Sequence, residues 1–293
     1  MNEDNPPLIV IGMHRSGTTL LSRLLQRVGV FMGADRNRNE EARFTNAVNE
    51  WWFRQASATW DCPEPVDELL ADNALRPWLV DYAGGIARGP ASRRFLGTRR
   101  YLGCRGLDRI AGPWGWKDPR TTYTLPLWLD LFPGARVVHI ARHGVDVAAS
   151  LKVRRERVIA DNLRRYQRLR RLYHWDPRAP KRRGFGPQPR CRTLAGGFDL
   201  WEAYVGRARA HVDALGERAY ELQYETLLEQ PVTELERLLA FAGIAATPGD
   251  LQAATAGLES SRAHAWRQDA DARTFAESVR ERLRHHGYGD AAS

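Results

Sequence analysis

The chain has little lysine, little cysteine and no long apolar run. Lys117, Lys152 and Lys181 are its only lysines, so nearly all of the basic side chains behind the net charge of +9 are arginine. A basic balance favours anionic ligands: nucleotide, acidic glycan, nucleic acid or lipid head group. The three cysteines, Cys62, Cys104 and Cys191, show no metal-ligand or redox spacing. An odd number fits reduced thiols in a cytoplasm. No stretch is long and apolar enough to span a bilayer. The start, MNEDNPPLIV, lacks the charged-then-apolar pattern of a signal peptide. These absences set the expectation of a cytoplasmic protein with no transmembrane segment. There is no Gly-Lys-Ser/Thr triplet, which excludes an ordinary Walker loop, and the apolar run from Arg136 ends in Arg142 rather than in an acid. No internal repeat and no clear linker is visible. The expected organisation is a single domain over 1–293 with a basic insertion at about 152–197.

What is present starts at Leu8. Leu8 to Ile11 is a short β-branched apolar run and predicts a buried strand. From Thr18 onward Leu20, Leu21, Leu24, Leu25 and Val28 recur at helical spacing. Between them lies Gly12-Met13-His14-Arg15-Ser16-Gly17, a glycine-bearing loop opening a helix. Free backbone N–H groups and the positive end of the helix dipole suit an anion there. Arg15 adds a charge; Ser16, Thr18 and Thr19 add hydroxyls. The plain alternative is a strand–turn–helix start with incidental polar residues.

Further along, Phe44, Val48, Trp51 and Trp52 lie near helical spacing, a face best read as core packing rather than a stacking surface. Glu40 and Glu41 precede it, either as helix-start acids or as a general base. Val66 to Leu79 predicts a helix, and Gly84 to Gly106 reads as a Gly- and Arg-rich loop. Trp114-Gly-Trp-Lys-Asp-Pro-Arg-Thr reads as a buried strand running into a charged loop, with Lys117, Asp118 and Arg120 at its C-terminal end. Ligands bind at that edge of open α/β sheets. Thr124 to Phe132 predicts a short amphipathic helix. Arg136 to Arg142 is a second buried strand passing into a helix at Val145. Arg142 offers a bidentate fork to phosphate, and Ser150, eight residues on, offers a hydroxyl.

These motifs together resemble the sulfotransferases that use 3′-phosphoadenosine 5′-phosphosulfate (PAPS), above all their bacterial branch. GWKDPRTT followed by LPLWLDLFPGARVVHIARHGVDVAASL is similar to that branch almost throughout, and matches recur in order from about residue 8 to 244. The resemblance implies a P-loop-type three-layer α/β domain, with a mainly parallel central sheet and helices on both faces. It implies that His14, Arg15, Ser16, Gly17, Thr18 and Thr19 hold the 5′-phosphosulfate. It gives Arg142 and Ser150 the 3′-phosphate, and Tyr224, in Leu222-Gln-Tyr-Glu-Thr-Leu-Leu, the adenine side. It implies sulfuryl transfer to a hydroxyl or amine, with PAPS as co-substrate, its product PAP, and no metal. Glu41, Lys117 and Arg15 are the expected catalytic groups. Departures stand beside the matches. The first loop has Arg15 where cytosolic members often have Lys. The family's catalytic His, two residues after a Lys, is absent, because Asp118 and Pro119 follow Lys117. That leaves Glu41, then Glu40, then Asp118 as candidate bases. The C-terminal glycine-rich phosphate segment is missing, with Arg262 or Arg267 as partial replacements.

Lys152 to Arg192 is the most basic stretch. It reads as a helix with one packed face, followed from Asp176 by a Pro-, Gly- and Arg-rich loop. It is either a solvated insertion or a lid or docking surface for an anionic acceptor such as an acidic glycan or phospholipid. The expected partner is a small-molecule, glycan or lipid acceptor; no nucleic-acid motif is visible. The sequence leaves oligomeric state open. Two other functions remain: a small-molecule kinase using ATP–Mg²⁺, and a polyanion- or nucleic-acid-binding module.

Overall fold

The computed structural model describes residues 5–175, 185–186, 188–259 and 263–289. In chain order the elements are β1 (Leu8–Ile11), α1 (Thr18–Arg27), α2 (Arg43–Gln55), α3 (Val66–Ala71), α4 (Arg76–Arg88), α5 (Arg93–Cys104), β2 (Gly115–Lys117) and α6 (Thr121–Leu131). There follow β3 (Arg136–Ala141), α7 (Gly144–Trp175), α8 (Leu194–Leu215), β4 (Ala219–Gln223), α9 (Tyr224–Glu229), α10 (Pro231–Ala242), α11 (Pro248–Thr255), α12 (Ala270–Ser278) and α13 (Arg280–His285). The chain divides into two compact units. One comprises 1–142 and 204–263, the other 143–203 and 264–293. The basic stretch falls in the second.

The first unit is built on a four-stranded sheet in the order β2-β1-β3-β4, with every pairing parallel. Side chains alternate across the sheet. Ile9 and Ile11 of β1 and Val137 of β3 join Trp52, Trp116, Leu125 and Trp128 in one core. Leu8, Val10, Val138 and Ile140 join Leu21, Leu24, Leu235 and Leu238 in the other. Both faces are thus covered by helices, which is why these strands read as continuous apolar runs rather than alternating ones. This is the three-layer α/β arrangement expected. Two glycines allow the close packing. A Cβ on Gly115 would lie 1.9 Å from the Leu8 carbonyl oxygen, and one on Gly12 would lie 2.5 Å from that of Ile140.

Three expectations are corrected. Val66–Leu79 is not one helix: α3 ends at Ala71 and α4 starts at Arg76. The stretch Gly84–Gly106 is not a loop. It holds the end of α4 and all of α5, because Ala83, Gly84, Ala87, Phe95 and Leu96 are buried. Gly84 is small enough to admit Leu131 of α6: a Cβ there would come within 3.1 Å of the Leu131 side chain. Gly97, at φ 71, is accommodated as a kink within α5. Finally, α6 is almost wholly buried rather than amphipathic.

In the second unit the start of α7 lies against Phe198 and Trp201 of α8, so closely that a Cβ on Gly144 would sit 2.6 Å from both rings. Arg282 of α13 pairs with Asp199, 2.6 Å away, and with Glu202. His143 stacks on Trp266 at 4.9 Å, and Asp146 Oδ1 accepts the Trp266 backbone N–H at 2.8 Å. The expected helix from Val145 and the basic helix after it are one element, α7, with non-helical backbone at Leu169. Much of the expected Asp176–Gly197 loop lies outside the described residues. Its last part is a 3₁₀ turn (Pro189–Arg192) and the start of α8.

Candidate active site

All four strands run in parallel, so their C-terminal ends share one edge of the sheet. Each is followed at once by a residue singled out from sequence or its neighbour: Gly12 after β1, Asp118 after β2, Arg142 after β3 and Tyr224 after β4. An open parallel sheet binds ligands at this edge.

The first loop turns on two glycines with positive φ, Gly12 at 138° and Gly17 at 93°, and on Arg15, itself at 75°. Gly17 is the N-cap of α1 and gives it no side-chain cap, so the first N–H groups of the helix are not closed off by a local side chain. Arg15 is exposed; His14, Ser16 and Thr18 are buried. Ser16 Oγ is buried with no hydrogen-bond partner among the described residues. The His14 ring meets Trp60 edge-on at 4.6 Å.

The second stretch is fastened to the first. The Gly12 N–H donates to Thr122 Oγ1 at 3.1 Å. The Lys117 ammonium, 1% exposed, donates to the Asn39 carbonyl and lies 3.3 Å from Glu41 Oε1. Thr19 of α1 donates to the same carbonyl at 3.1 Å. Glu41 Oε2 accepts from Asn37 at 2.6 Å and from Asn46 at 3.2 Å. Asn46 also lies 3.2 Å from Asp118 Oδ2, so one amide joins the two carboxylates. Burial pushes the Lys117 ammonium below its ordinary value, against the opposing pull of Glu41 and Asp118. Burial pushes the Asp118 carboxyl up, and Glu41 adds to the rise while Arg120 and the Asn49 bond oppose it.

The three candidate bases therefore have different surroundings. Asp118 is fully buried, with Oδ1 taken by the Arg120 N–H and Oδ2 by Asn46 and Asn49. Glu40 turns to Arg23, Arg36 and Gln26 near the surface. Glu41 is the carboxylate held against Lys117.

On the other side of the loop, Tyr224 is the meeting point. A Cβ on Gly17 would fall 2.2 Å from the Tyr224 ring, and the Arg142 guanidinium lies 4.6 Å over the same ring. Gly17, Arg142 and Tyr224, drawn from three separate motifs, are thus packed together. Ser150 is half-buried on α7 in the second unit. Arg267 stands over Trp266 in that unit, at 5.7 Å, and Arg262 lies outside the described residues.

The sequence reading missed the amides. Asn49 uses its full capacity: it donates to Asp118 (3.0 Å) and Thr121 (2.8 Å) and accepts from Thr124 (2.8 Å) and Trp128 (2.7 Å). Thr45, Asn46 and Asn49 interrupt the apolar pattern of α2, and that interruption was the available signal. The aromatic face of α2 divides. Phe44, Val48 and Trp52 are buried, while Trp51 packs on Tyr82 at 4.5 Å. Phe44, Val48, Trp51, Tyr82 and Ile86 line a groove of about 760 Å³ against α4 and α5.

A glycine loop after β1, with basic and aromatic groups at the neighbouring strand ends of a parallel sheet, is an arrangement suited to an anion. The chain belongs to the sulfotransferase family, whose model matches residues 6–248. Among solved structures it is similar to the sulfotransferase domain from the curacin biosynthetic pathway, at 16% identity over 94% of this chain and 97% of that one, with a TM-score of 0.48. It is also similar to the sulfotransferase domain of the Synechococcus PCC 7002 olefin synthase (17%, 94% and 94%, 0.48). A third is a sulfotransferase from Alicyclobacillus acidocaldarius (15%, 94% and 91%, 0.47). No curated protein matches the chain in sequence.

Proposed function

We propose that the chain moves a sulfuryl group from PAPS to a hydroxyl or amine of an acceptor. The observation that carries this reading is the packing of Tyr224 between Gly17 and Arg142. It joins the phosphate loop, a cation for a second phosphate and an aromatic ring for a base in one place. A donor with phosphate-type groups at both ends of a nucleoside needs all three. The residues present fit such a donor. Ser16 Oγ is a buried hydroxyl with no hydrogen-bond partner among the described residues, beside the start of α1, which has no side-chain cap.

PAPS, when bound, supplies the activated sulfuryl group and leaves as PAP. Arg15, Ser16, Thr18, Thr19 and the loop N–H groups hold the anionic end. Arg142 takes the 3′-phosphate, with Ser150 carried over from the family pattern, and Tyr224 takes the adenine side. Lys117 and Arg15 stabilise charge developing on the leaving oxygen. Glu41 receives the acceptor proton, a role that contributes roughly 10²–10⁴-fold in rate.

Calorimetric titration with PAP tests the reading, with AMP, ADP and ATP–Mg²⁺ alongside. PAP binding much tighter than AMP, and lost in Arg142→Ala, is the expected result. Preference for ATP–Mg²⁺ moves the protein to the kinases. Absence of nucleotide binding, with salt-sensitive affinity for DNA or RNA, moves it to the binding modules.

A further inference from the structure

The helix α7 has two unlike faces. Arg155, Ile159, Asn162, Tyr166, Leu169 and Tyr173 recur at helical spacing and are half-buried. Phe185 covers part of this face, edge-on to Tyr166 at 4.9 Å and 6.5 Å from Tyr173. The opposite stripe is Val153, Arg157, Ala160, Arg164 and Arg168, all exposed. Beyond the non-helical Leu169, Arg170, Arg171, Leu172 and Trp175 continue the exposed surface. Between 152 and 175 the helix carries nine Lys and Arg against two acids. Among the described residues, Arg157, Arg165, Arg168, Arg170 and Arg171 make no ion pair. All five of these side chains are exposed.

Nor is the surface only basic. Trp175 is 84% exposed, Leu172 56% and Leu163 43%. Nucleic acid or a hydrated glycan neutralises arginine but provides no apolar phase for leucine. An anionic bilayer accepts both: lipid phosphates meet the guanidinium groups, and the headgroup–acyl boundary takes indole and aliphatic side chains. From Lys152 to the break at Leu169 the helix extends about 25 Å at 1.5 Å per residue, enough to lie along a membrane plane.

We infer that the exposed face of α7 docks this protein on an anionic lipid bilayer, with Trp175 and Leu172 entering the interface and the arginines contacting lipid phosphates. No helix of the described residues is long and apolar enough to cross a membrane, and the docking proposed here uses one helix face. The inference does not depend on the proposed reaction.

Co-sedimentation of the full chain with vesicles tests it. One set is phosphatidylcholine alone; the other includes about one-third phosphatidylglycerol. The expected result is binding to the anionic set only, weakened by salt. Tryptophan emission should shift blue on binding, and Trp175→Ser should remove that shift and weaken binding about tenfold. Trp175→Phe should restore most of the affinity. Arg168→Glu with Arg170→Glu and Arg171→Glu should weaken binding by at least about 100-fold, from roughly fivefold per arginine lost, before the repulsion of the three new acids is counted. Circular dichroism and thermal unfolding check that each variant remains folded. Failure to bind anionic vesicles overturns the inference. So does binding to heparin or DNA as tight as to vesicles, with Trp175→Ser without effect, which would make the helix a polyanion surface.

Discussion

The strand-end edge of the first unit and the outer surface of α7 are both rich in cations, and their surroundings are opposite. Lys117 is 1% exposed and its ammonium is held by Glu41 and the Asn39 carbonyl. Arg120 lies 3.5 Å from Asp118. On α7, Arg157, Arg165, Arg168, Arg170 and Arg171 stand in solvent and pair with no carboxylate among the described residues. A buried charge loses several kcal/mol of hydration and persists only where fixed partners restore that loss. Its position is therefore unique, and it can be aimed at a reacting atom. An exposed charge loses little hydration and is screened within about 8–10 Å. It acts through its sum with neighbours, which suits an extended anionic surface. The difference divides the two regions by how they respond to substitution.

The largest effect is expected at the buried pair. Lys117→Met leaves Glu41 without its cation in a dry site. Loss of one partner of such a pair costs about 3–5 kcal/mol, read by denaturant unfolding, and turnover with PAPS should fall by roughly 10²–10⁴. Glu41→Gln separates the two readouts. The amide keeps the shape and its oxygen can still accept from Lys117, but its NH2 group meets the Asn37 and Asn46 donors, so stability should fall as well, by less than in Lys117→Met. Turnover should still fall by roughly 10²–10⁴ with PAP affinity unchanged. Near-full turnover in Glu41→Gln would remove Glu41 as the base.

Gly17→Ala comes next. Its Cβ would overlap the Tyr224 ring at 2.2 Å, at a φ of 93° that L side chains rarely adopt. Tyr224 must move off the loop, and its contact with Arg142 goes with it. A stability loss of about 1–3 kcal/mol is expected, together with a drop in PAP affinity comparable to that of Arg142→Ala. Unchanged affinity would show that Tyr224 does not belong to the nucleotide site.

The legibility of these parts follows the same division. The loop after β1 and the strand ends at Lys117 and Arg142 were readable because each pairs a buried apolar run with charge at its end. That pattern arises from a parallel sheet with one open edge. Asn46 and Asn49 were not, because their partners converge only in the fold: Asn46 joins Glu41 to Asp118, 72 residues from it in sequence, and Asn49 reaches the same Asp118 across 69 residues. The helices at Arg76–Arg88 and Arg93–Cys104 were hidden by their glycines and arginines. Tertiary packing on small residues overrode poor helix propensity there. Ile159, Tyr166 and Tyr173 revealed the packed face of α7, whereas its exposed Leu172 and Trp175 became apparent only from the structure.

A pH prediction sharpens the comparison at a half-buried site. Glu221 of β4 faces His139 of β3 at 2.9 Å and Arg209 at 2.9 Å. Burial works to raise its carboxyl, and the hydrogen bonds from His139 and Arg209 overcome it, holding the group at about 2 rather than 4.5. The folded state therefore binds this proton less readily than the unfolded chain. The contribution to stability is complete above about pH 4.5 and is lost as pH falls through about 2. Glu221→Gln should flatten the stability profile in that window and lower stability at neutral pH by about 1–2 kcal/mol. An unchanged acid limb would show that the pair is screened as weakly coupled surface charges are.

The smallest expected effect is on α7. Arg168→Glu, Arg170→Glu and Arg171→Glu reverse three exposed charges that no carboxylate among the described residues holds, so each should alter unfolding free energy by no more than about 0.5 kcal/mol. The net charge of +9 makes the direction predictable: three reversals lower repulsion within the basic helix, and the triple variant should be equal to or slightly more stable than the parent at low salt. The gain should fade as salt rises. The comparison breaks if the triple variant instead loses several kcal/mol. That result would mean the arginines of α7 are held by fixed partners, as Lys117 is, and that their charge is spent within the protein rather than presented to a surface outside it.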